Sequence, residues 1–492
     1  MEEKGNISAM PEGNDNPRII QINKRAIIVA VAVILILVIA AYVLTFVLPR
    51  GAYERDANGS IIMGTYKEDP TLDGIEWWEF LLSPFLVLNP AEEGAIILYS
   101  IMLLLVIIGA VFMTLEKSGI LVYMVKAIAH KFIKKKYQLL AILTFAFMFL
   151  GSAVGMFEEL IPLVPIIIML SYALGWDALV GLGISVMGSC FGFAAGVMNP
   201  FTVGVAQTIG KLPMFSGIEV RLISFILIYG ILMAFLYFYA KKIDKNPQKS
   251  PVYLADLERK KSFSFEVDDF VFDKTKSNAL KWFACWLGVV IVSAIVSIFW
   301  HPLSDYIIYI TLVCYVVGGF GASIICGIRG KEFFKLVGKG VLTLLPAVAM
   351  IMIAGGVRFI IEKGNIMDTI LFRTLPLLEN QHPLAGSIMI YFIIIVFELF
   401  IPSGSAKAVL LMPIIFELCN MSGIHPQVAV LAFAFADGFS NILHPTNAGL
   451  LLILGITTVD YGKWFKWSIK IQLALFAASV AMLAFAQMVY YA

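Results

Sequence analysis

Ionisable side chains stand inside segments that are otherwise apolar, and they have the most chemistry to offer. Glu158, Glu159 and Asp437 are acids in such surroundings, Lys407 is a base, and Glu398 is a weaker candidate. A charged group at membrane depth is costly and usually lines a substrate or ion pathway. A carboxylate there could bind a cation or a coupling proton. The structural alternatives are helix capping by the two glutamates, a Glu159–Lys407 ion pair, and a packing role for Asp437.

Small polar residues and glycines surround these charges where a helix would be interrupted. Half-helix N-termini offer N–H groups to a carboxylate, whereas unwound carbonyl groups suit a cation. The same residues could instead serve only to let backbones approach closely. His444 could be a proton-sensitive gate or could simply cap broken backbone. The other candidates for the substrate site are Ser152, Gly155, Asn199, Thr202, Ser403, Gly404, Ser405, Asn441, Thr446 and Asn447.

The elements that position these residues occur twice along the chain. The recurring motifs are Gly109-Ala110-Val111 with Gly355-Gly356-Val357 (355 − 109 = 246), Pro165-Ile166-Ile167 with Pro413-Ile414-Ile415 (413 − 165 = 248), and Asn199-Pro200 with His444-Pro445 (444 − 199 = 245). At the shift of 248, Glu159 aligns with Lys407. Arg358 follows one glycine motif, and we expect it either to extend outwards to the membrane surface or to pair with Glu362 one helical turn later, rather than to contact substrate. Broken helices at matching places in two repeats are typical of a secondary transporter and its binding site.

The composition predicts that most of the chain is embedded in a lipid bilayer. Of its 492 residues 60% are hydrophobic and 14% are charged, and the mean hydropathy is +0.89. A soluble domain is roughly 45–50% apolar and about 25% charged. Nucleotide-binding, zinc-protease and serine-hydrolase motifs are absent, so we expect no enzyme, no metal site and no nucleic-acid partner. Spans are expected at about 26–48, 94–116, 178–210, 219–240, 278–300, 306–327, 341–362, 427–456 and 466–491.

Two regions do not fit simple spanning. Residues 137–175 and 385–420 each hold two apolar arms around a Gly/Ser-rich centre, at 151–155 and 402–405. Each arm is short for a crossing, and a backbone break at membrane depth needs protein or water around it. We therefore expect two re-entrant hairpins. The predicted fold class is an all-α polytopic membrane protein with two inverted repeats, each with a re-entrant hairpin and a broken transmembrane helix.

The charge of the loops predicts topology and domains. Basic segments at 117–136, 241–261 and 329–339 fall on the side of the basic N-terminal tail, opposite the acidic loop 50–93. By the positive-inside rule the N-terminus is cytoplasmic, in a multi-pass protein of the cell membrane. The expected order is a cytoplasmic tail (1–25), a first span and extracellular loop (26–93), a first repeat (94–240), a connecting cytoplasmic linker (241–277), two scaffold spans (278–336) and a second repeat (337–492).

Three stretches resemble a known family. They are Gly155-Met156-Phe157-Glu158-Glu159, the run 196–207 with Asn199-Pro200-Phe201-Thr202 within it, and Leu212-Pro213-Met214-Phe215-Ser216-Gly217. Through them the chain resembles the YfcC family, which belongs to the C4-dicarboxylate anaerobic carrier group and is similar to basic amino-acid antiporters of the arginine/ornithine kind. The resemblance implies an ion-transporter superfamily fold of inverted repeats, with a transport domain that moves against a dimeric scaffold.

The expected function is secondary active transport of a small charged solute by alternating access. Three acids at membrane depth favour a basic amino-acid antiporter of the arginine/ornithine type. Lys407 and the helix N-termini would instead suit a C4-dicarboxylate or short-chain carboxylate carried with sodium or protons. No cofactor is expected beyond a coupling sodium ion or proton. The expected partners are a small-molecule substrate, the lipid bilayer and a second copy of the chain in a homodimer.

Overall fold

The chain is a bundle of α-helices with one small antiparallel hairpin. The computed structural model describes residues 24–491 apart from 56–61, 63, 92–94, 214, 262–270, 301–302, 304–305 and 375–380. The hairpin joins β1 (Gly51–Ala52) to β2 (Lys67–Glu68). Most of the N-terminal tail, for which a cytoplasmic position was predicted, lies outside the described residues. The helix-rich class that the sequence predicts is confirmed.

Twenty-one α-helices occupy the described residues. Those before the linker are α1 (Lys24–Val47), α2 (Trp77–Leu86), α3 (Ala95–Lys117), α4 (Ile120–Phe132), α5 (Lys136–Val154), α6 (Val164–Ala173), α7 (Ala178–Leu182), α8 (Gly188–Ala195), α9 (Val205–Ile209) and α10 (Ile218–Lys245). The others are α11 (Tyr253–Lys261), α12 (Lys274–Phe299), α13 (Ile307–Tyr315), α14 (Gly321–Ile325), α15 (Gly330–Lys363), α16 (Met367–Thr374), α17 (Pro383–Glu398), α18 (Gly404–Ser422), α19 (Pro426–Ser440), α20 (Ala448–Gly455) and α21 (Tyr461–Tyr491).

Helices occupy all nine predicted spans. In the described part of the chain, five helical stretches are long and apolar enough to cross a membrane. They are Ile120–Val154, Ala178–Ile209, Ile218–Lys245, Gly330–Lys363 and Tyr461–Tyr490. The first of these shows that the basic segment 117–136 is largely helical. Of the two alternatives for Arg358, the pairing within α15 is formed, because Arg358 Nε lies 2.6 Å from Glu362 Oε1.

The helices pack in two groups. In the first, α3 and α15 lie along each other, and α1, α2 and α13 pack around them. A Cβ atom on Gly109 would lie 2.5 Å from the carbonyl oxygen of Gly340, so α3 and α15 meet backbone to backbone. In the second group α5 packs on α8, α8 on α19, and α19 on α17, with α10 and α21 against them. The candidate site residues lie on α5 and α19 of this group, at the interruptions next to its helices, and at the start of α18, which packs against α19.

Each predicted hairpin region is a pair of helices joined by a short connection. In the first pair, α5 ends at Gly155 and a 3-10 turn, Glu158–Leu163, leads into the ten-residue α6. In the second pair, residues 399–403 separate α17 from α18. Two spans are also interrupted: residues 196–199 form the first break, after α8, and residues 441–447 form the second break, after α19. The interruptions that the glycine and proline pattern predicts are therefore present in the backbone.

The linker contains a docked helix, α11, which the sequence analysis did not predict. Its Asp256 is buried and accepts hydrogen bonds from the hydroxyl groups of Tyr172 at 2.8 Å and Thr458 at 2.6 Å. The backbone N–H of Ala178 donates a third, at 2.8 Å. Desolvation by burial raises the pKa of Asp256 to about 6. Because of these contacts, α11 is fastened at once to the end of α6, the start of α7 and the chain after α20.

Candidate functional site

The first break places Asn199 at the start of a new helical segment. Asn199 is buried, and its side-chain oxygen accepts hydrogen bonds from the backbone N–H groups of Phe201 at 3.0 Å and Thr202 at 3.3 Å. The π-helical turn Pro200–Gly204 follows. An interrupted helix leaves its first N–H groups without partners, and a capping asparagine supplies one. The Asn199 side chain therefore stabilises the start of the helical segment that follows the first break.

The end of α5 packs against the first break through Ser152 and Gly155. Ser152 Oγ accepts a hydrogen bond from Val197 N at 3.0 Å, and its carbonyl oxygen accepts one from Met198 N at 3.1 Å. Gly155 has a φ of 74°, and a Cβ atom on it would lie 2.5 Å from Asn199 Oδ1. Both the backbone conformation and the space available require glycine here.

Asn447 gives the second break the same kind of cap. Its side-chain oxygen accepts a hydrogen bond from Leu450 N at 2.9 Å, and its amide donates one to Asn441 Oδ1 at 2.7 Å. Asn447 follows Asn199 by 248 residues (447 − 199 = 248), the same shift as the proline motifs. The sequence alignment paired Asn199 with His444 instead, at a shift of 245. Side-chain geometry corrects this, since Asn447 is the residue that caps.

Ser403 caps a third helix among the candidate residues. Its Oγ accepts a hydrogen bond from Ala406 N at 3.4 Å, at the start of α18. Helical segments thus begin at Asn199, Ser403 and Asn447. Their first N–H groups carry partial positive charge, which suits the carboxylate of a small solute.

The second pair reaches across to the first break. Ser405 Oγ donates a hydrogen bond to the carbonyl oxygen of Phe201 at 2.8 Å. A Cβ atom on Gly404 would lie 2.9 Å from Thr202 Cγ2 and 3.0 Å from Asp437 Oδ1. Residues from both halves of the chain therefore share one site.

Lys407 is enclosed between two acids. Its Nζ lies 2.8 Å from Asp437 Oδ1 and contacts the carboxylate of Glu398, and the side chains are 0% (Lys407), 0% (Glu398) and 1% (Asp437) exposed. Glu398 ends α17, Lys407 lies near the start of α18, and Asp437 belongs to α19. These contacts, called the charged triad below, tie both arms of the second pair to the helix before the second break.

Glu158 and Glu159 lie at the tip of the first pair but differ in their surroundings. Glu158 interacts electrostatically with Asp437. Glu159 Oε2 accepts a hydrogen bond from Phe157 N at 3.3 Å, and this acid interacts with Tyr315 at the end of α13. The Glu159–Lys407 ion pair, one of the predicted alternatives, is not formed. Lys407 pairs with Glu398 and Asp437 instead.

Several polar atoms next to these charges are buried without a hydrogen-bond partner among the described residues. They are Asn199 Nδ2, Thr202 Oγ1, Thr446 Oγ1 and His444 Nδ1. His444 also interacts electrostatically with Lys407. Buried polar groups are nearly always hydrogen-bonded to protein or water, so these atoms are suited to a polar ligand.

Two buried charges outside the predicted site also contribute. Glu398 was only a weaker candidate, although an acid nine residues before Lys407 across a Pro-Ser-Gly-Ser break was a readable signal. Arg221 was missed: its guanidinium donates hydrogen bonds to the carbonyl oxygens of Val197 at 3.4 Å, Phe215 at 2.9 Å and Ser216 at 2.9 Å. It fastens the first break to the start of α10. Nothing in the local sequence distinguished it from a residue at a span end.

The site as a whole has more acids than bases. Its acids are Glu158, Glu159, Glu398 and Asp437, against one lysine, Lys407, among the described residues that these contacts bring together. Unpaired buried carboxylates are strongly unfavourable and are compensated by protons or cations. The arrangement can therefore bind a cationic group beside capped helix N-termini that suit a carboxylate.

Comparisons with known proteins agree with a membrane carrier. The C4-dicarboxylate anaerobic carrier (DcuC) family matches residues 28–488. YfcC of Escherichia coli, whose name provisionally describes it as a basic amino acid antiporter, is 29% identical over 361 residues, covering 69% of this chain and 68% of that protein. An uncharacterized protein of Haemophilus influenzae is 26% identical over 383 residues, covering 76% and 73% of the two chains.

Two solved structures align with the chain over most of its length. MtrF of Neisseria gonorrhoeae, described with a class of antimetabolite efflux pumps, has 16% identity and a TM-score of 0.44, covering 92% of this chain and 94% of its own. The YdaH transporter of Alcanivorax borkumensis has 13% identity and a TM-score of 0.45, covering 92% and 97%. Likeness at this level is too low to assign a function.

Proposed function

This chain belongs to the C4-dicarboxylate anaerobic carrier family. We propose that, within this family of carriers, it is a basic amino-acid antiporter of the arginine/ornithine type. The observation that supports this most is the excess of buried acids over Lys407 in the site. An arginine or ornithine molecule has a cationic side chain for the acids and a carboxylate for the capped N-termini. The provisional name of the Escherichia coli relative points the same way.

Alternating access would move the site between the two membrane faces. In this proposal the first and second pairs are re-entrant hairpins in two inverted repeats, and the N-terminus is cytoplasmic. Support comes from the length of α6, whose ten residues cover only about half of a bilayer core. The helices around α3 and α15 would form the scaffold, in a homodimer, and the group around α8 and α19 would carry the substrate. The coupling ion, where one is used, would be sodium or a proton.

A C4-dicarboxylate is the second candidate substrate, favoured by the description of the family. Such a dianion would need Lys407 and the capped N-termini. Its difficulty is that Lys407 is already enclosed by Glu398 and Asp437, which would repel a second pair of carboxylates.

Counterflow in proteoliposomes distinguishes the two substrates. Vesicles preloaded with ornithine are given labelled arginine in the presence of unlabelled lysine, malate, fumarate or butyrate. Saturable arginine entry that lysine blocks and malate does not is the expected result. Absence of arginine entry, together with saturable malate or fumarate entry when that is the label, would replace the proposal by the second candidate.

A further inference from the structure

The charged triad contains one cation for two acids, in a place closed to solvent. Lys407 Nζ lies 2.8 Å from Asp437 Oδ1 and contacts Glu398. Apart from this ammonium, the carboxylate oxygens of both acids have no hydrogen-bond partner within the described chain. Since a buried carboxylate that loses its partner is strongly destabilising, Lys407 alone keeps both acids tolerable.

The two acids are equally closed to solvent, at 0% (Glu398) and 1% (Asp437) exposed, but they differ in their neighbours. Glu398 lies between the arms of the second pair and is fully buried. Asp437 faces the tip of that pair, because a Cβ atom on Gly404 would lie 3.0 and 3.1 Å from its two oxygens. Thr202, whose hydroxyl is unpartnered among the described residues, lies against the same glycine. A solute entering between the tip and the first break would reach Asp437 and not Glu398.

We propose that Lys407 is an internal counter-ion, which neutralises Asp437 while the site is empty and yields it to the cationic group of the substrate. This inference rests on the proposed function, because it requires a cationic substrate. When substrate is bound, Lys407 keeps Glu398 and the substrate keeps Asp437, so two cations balance two acids. When substrate leaves, Lys407 returns to bridge the pair. Asp437 is thus never left without a cation.

The mechanism has a consequence for flux. A carrier whose acid is neutralised from within can change conformation without substrate, so a slow net efflux accompanies the exchange that defines an antiporter. A carrier that lacks the internal cation would have to move an unpaired buried carboxylate, and it would move efficiently only when loaded. Lys407 also competes with the substrate for Asp437, so its removal should tighten substrate binding.

The double variant Lys407→Met/Glu398→Gln tests both consequences. It removes one cation and one acid, so the triad keeps its net charge and the remaining acid is Asp437. We expect the ratio of net arginine efflux to arginine exchange to fall at least tenfold below that of the wild type. Arginine binding to the purified double variant, followed by calorimetry, should be at least fivefold tighter. Lys67→Met/Glu54→Gln also removes one cation and one acid, from an exposed ion pair outside the site with 3.3 Å between Lys67 Nζ and Glu54 Oε1. It serves as the matched control, with the wild-type ratio expected.

The outcomes separate this inference from the function on which it rests. A wild-type protein that exchanges no basic amino acid overturns both. If the wild type exchanges arginine but shows no measurable net efflux, the counter-ion role alone is overturned. The same holds if the ratio of net efflux to exchange in the double variant equals that of the wild type. If the double variant no longer transports, its binding constant still decides: weaker arginine binding than in the wild type would make Lys407 part of the substrate contact instead.

Discussion

The side-chain oxygen of Asn199 lies 2.5 Å from the point where a Cβ atom on Gly155 would be. This closeness joins the end of α5 to the first break, and it leaves no room for a methyl group. The same asparagine oxygen caps the helical turn that follows the break. One contact therefore fixes both the tip of the first pair and the start of the helix beyond it.

Gly155→Ala should lower stability and transport together. The left-handed backbone costs a non-glycine residue about 1–2 kcal/mol, and overpacking against Asn199 adds about 1–3 kcal/mol. The melting temperature in detergent and the rate of counterflow measure the two effects. Gly230→Ala is the control, since a Cβ atom there meets nothing within 4 Å. A Gly155→Ala protein as stable as Gly230→Ala would contradict the close contact.

Asn199→Ser and Asn447→Ser should differ in stability, although both keep a capping side chain. Asn199→Ser removes only a side-chain amide group that has no hydrogen-bond partner within the described chain, so we expect a small loss of stability. Asn447→Ser also loses the bond to Asn441, worth about 0.5–1.5 kcal/mol. Thermal unfolding ranks the two variants, and equal losses would disprove the distinction. If the free amide of Asn199 binds substrate, Asn199→Ser weakens affinity despite its stability.

Neutral isosteres at the acids test the cationic substrate. Asp437→Asn and Glu158→Gln should weaken arginine binding at least tenfold while leaving folding nearly intact, because each removes one charge from the site without changing its volume. Glu159→Gln should do less, since the carboxylate of Glu159 accepts a hydrogen bond from the backbone N–H of Phe157 at the same tip. Substrate-induced thermal shifts of the three purified variants give the comparison. Unchanged affinity in the first two would remove these acids from the substrate site.

Asp256→Ala should release α11 from the bundle. The change leaves the hydroxyl groups of Tyr172 and Thr458 and the N–H of Ala178 without their acceptor, and an unsatisfied buried group costs about 1–3 kcal/mol. Hydrogen exchange of the α11 amides should accelerate at least tenfold. Leu254→Ala, on the same helix at a residue 76% exposed, should leave exchange near the wild-type rate. Equal rates in the two variants would argue against docking through Asp256.

Docking of α11 should strengthen as pH falls from 7 to 5. Burial raises the pKa of Asp256 to about 6 from an ordinary value of 3.8, so the docked state holds its proton more tightly than a released linker would. Because binding of this proton stabilises the docked state, docking is strongest at low pH and weakens as the pH rises through the docked-state pKa of about 6. Exchange of the α11 amides, corrected for the intrinsic pH dependence, should slow on acidification. In Asp256→Asn the corrected rate should be independent of pH, and a persisting pH effect would assign it to another group.

The sequence by itself determined that the chain is a helical multi-pass membrane protein, and where its apolar helices lie. Runs of apolar residues with glycine and proline interruptions are local features, and lipid leaves the backbone few alternatives to helix. For the same reason the motifs around Asn199 and the Pro-Ser-Gly-Ser segment identified the breaks. The stretches 155–159, 196–207 and 212–217 also identified the family.

Only the tertiary structure decided which charges meet. The shift of 248 residues paired Glu159 with Lys407, yet Lys407 lies between Glu398 and Asp437. Asn447, rather than His444, shares the capping role of Asn199. Arg221 and Asp256 were unremarkable in the sequence and are buried in the fold. A sequence repeat preserves backbone breaks, because these are set locally. The partner of a buried charge is set by the packing of helices distant in the chain, and no local pattern records it.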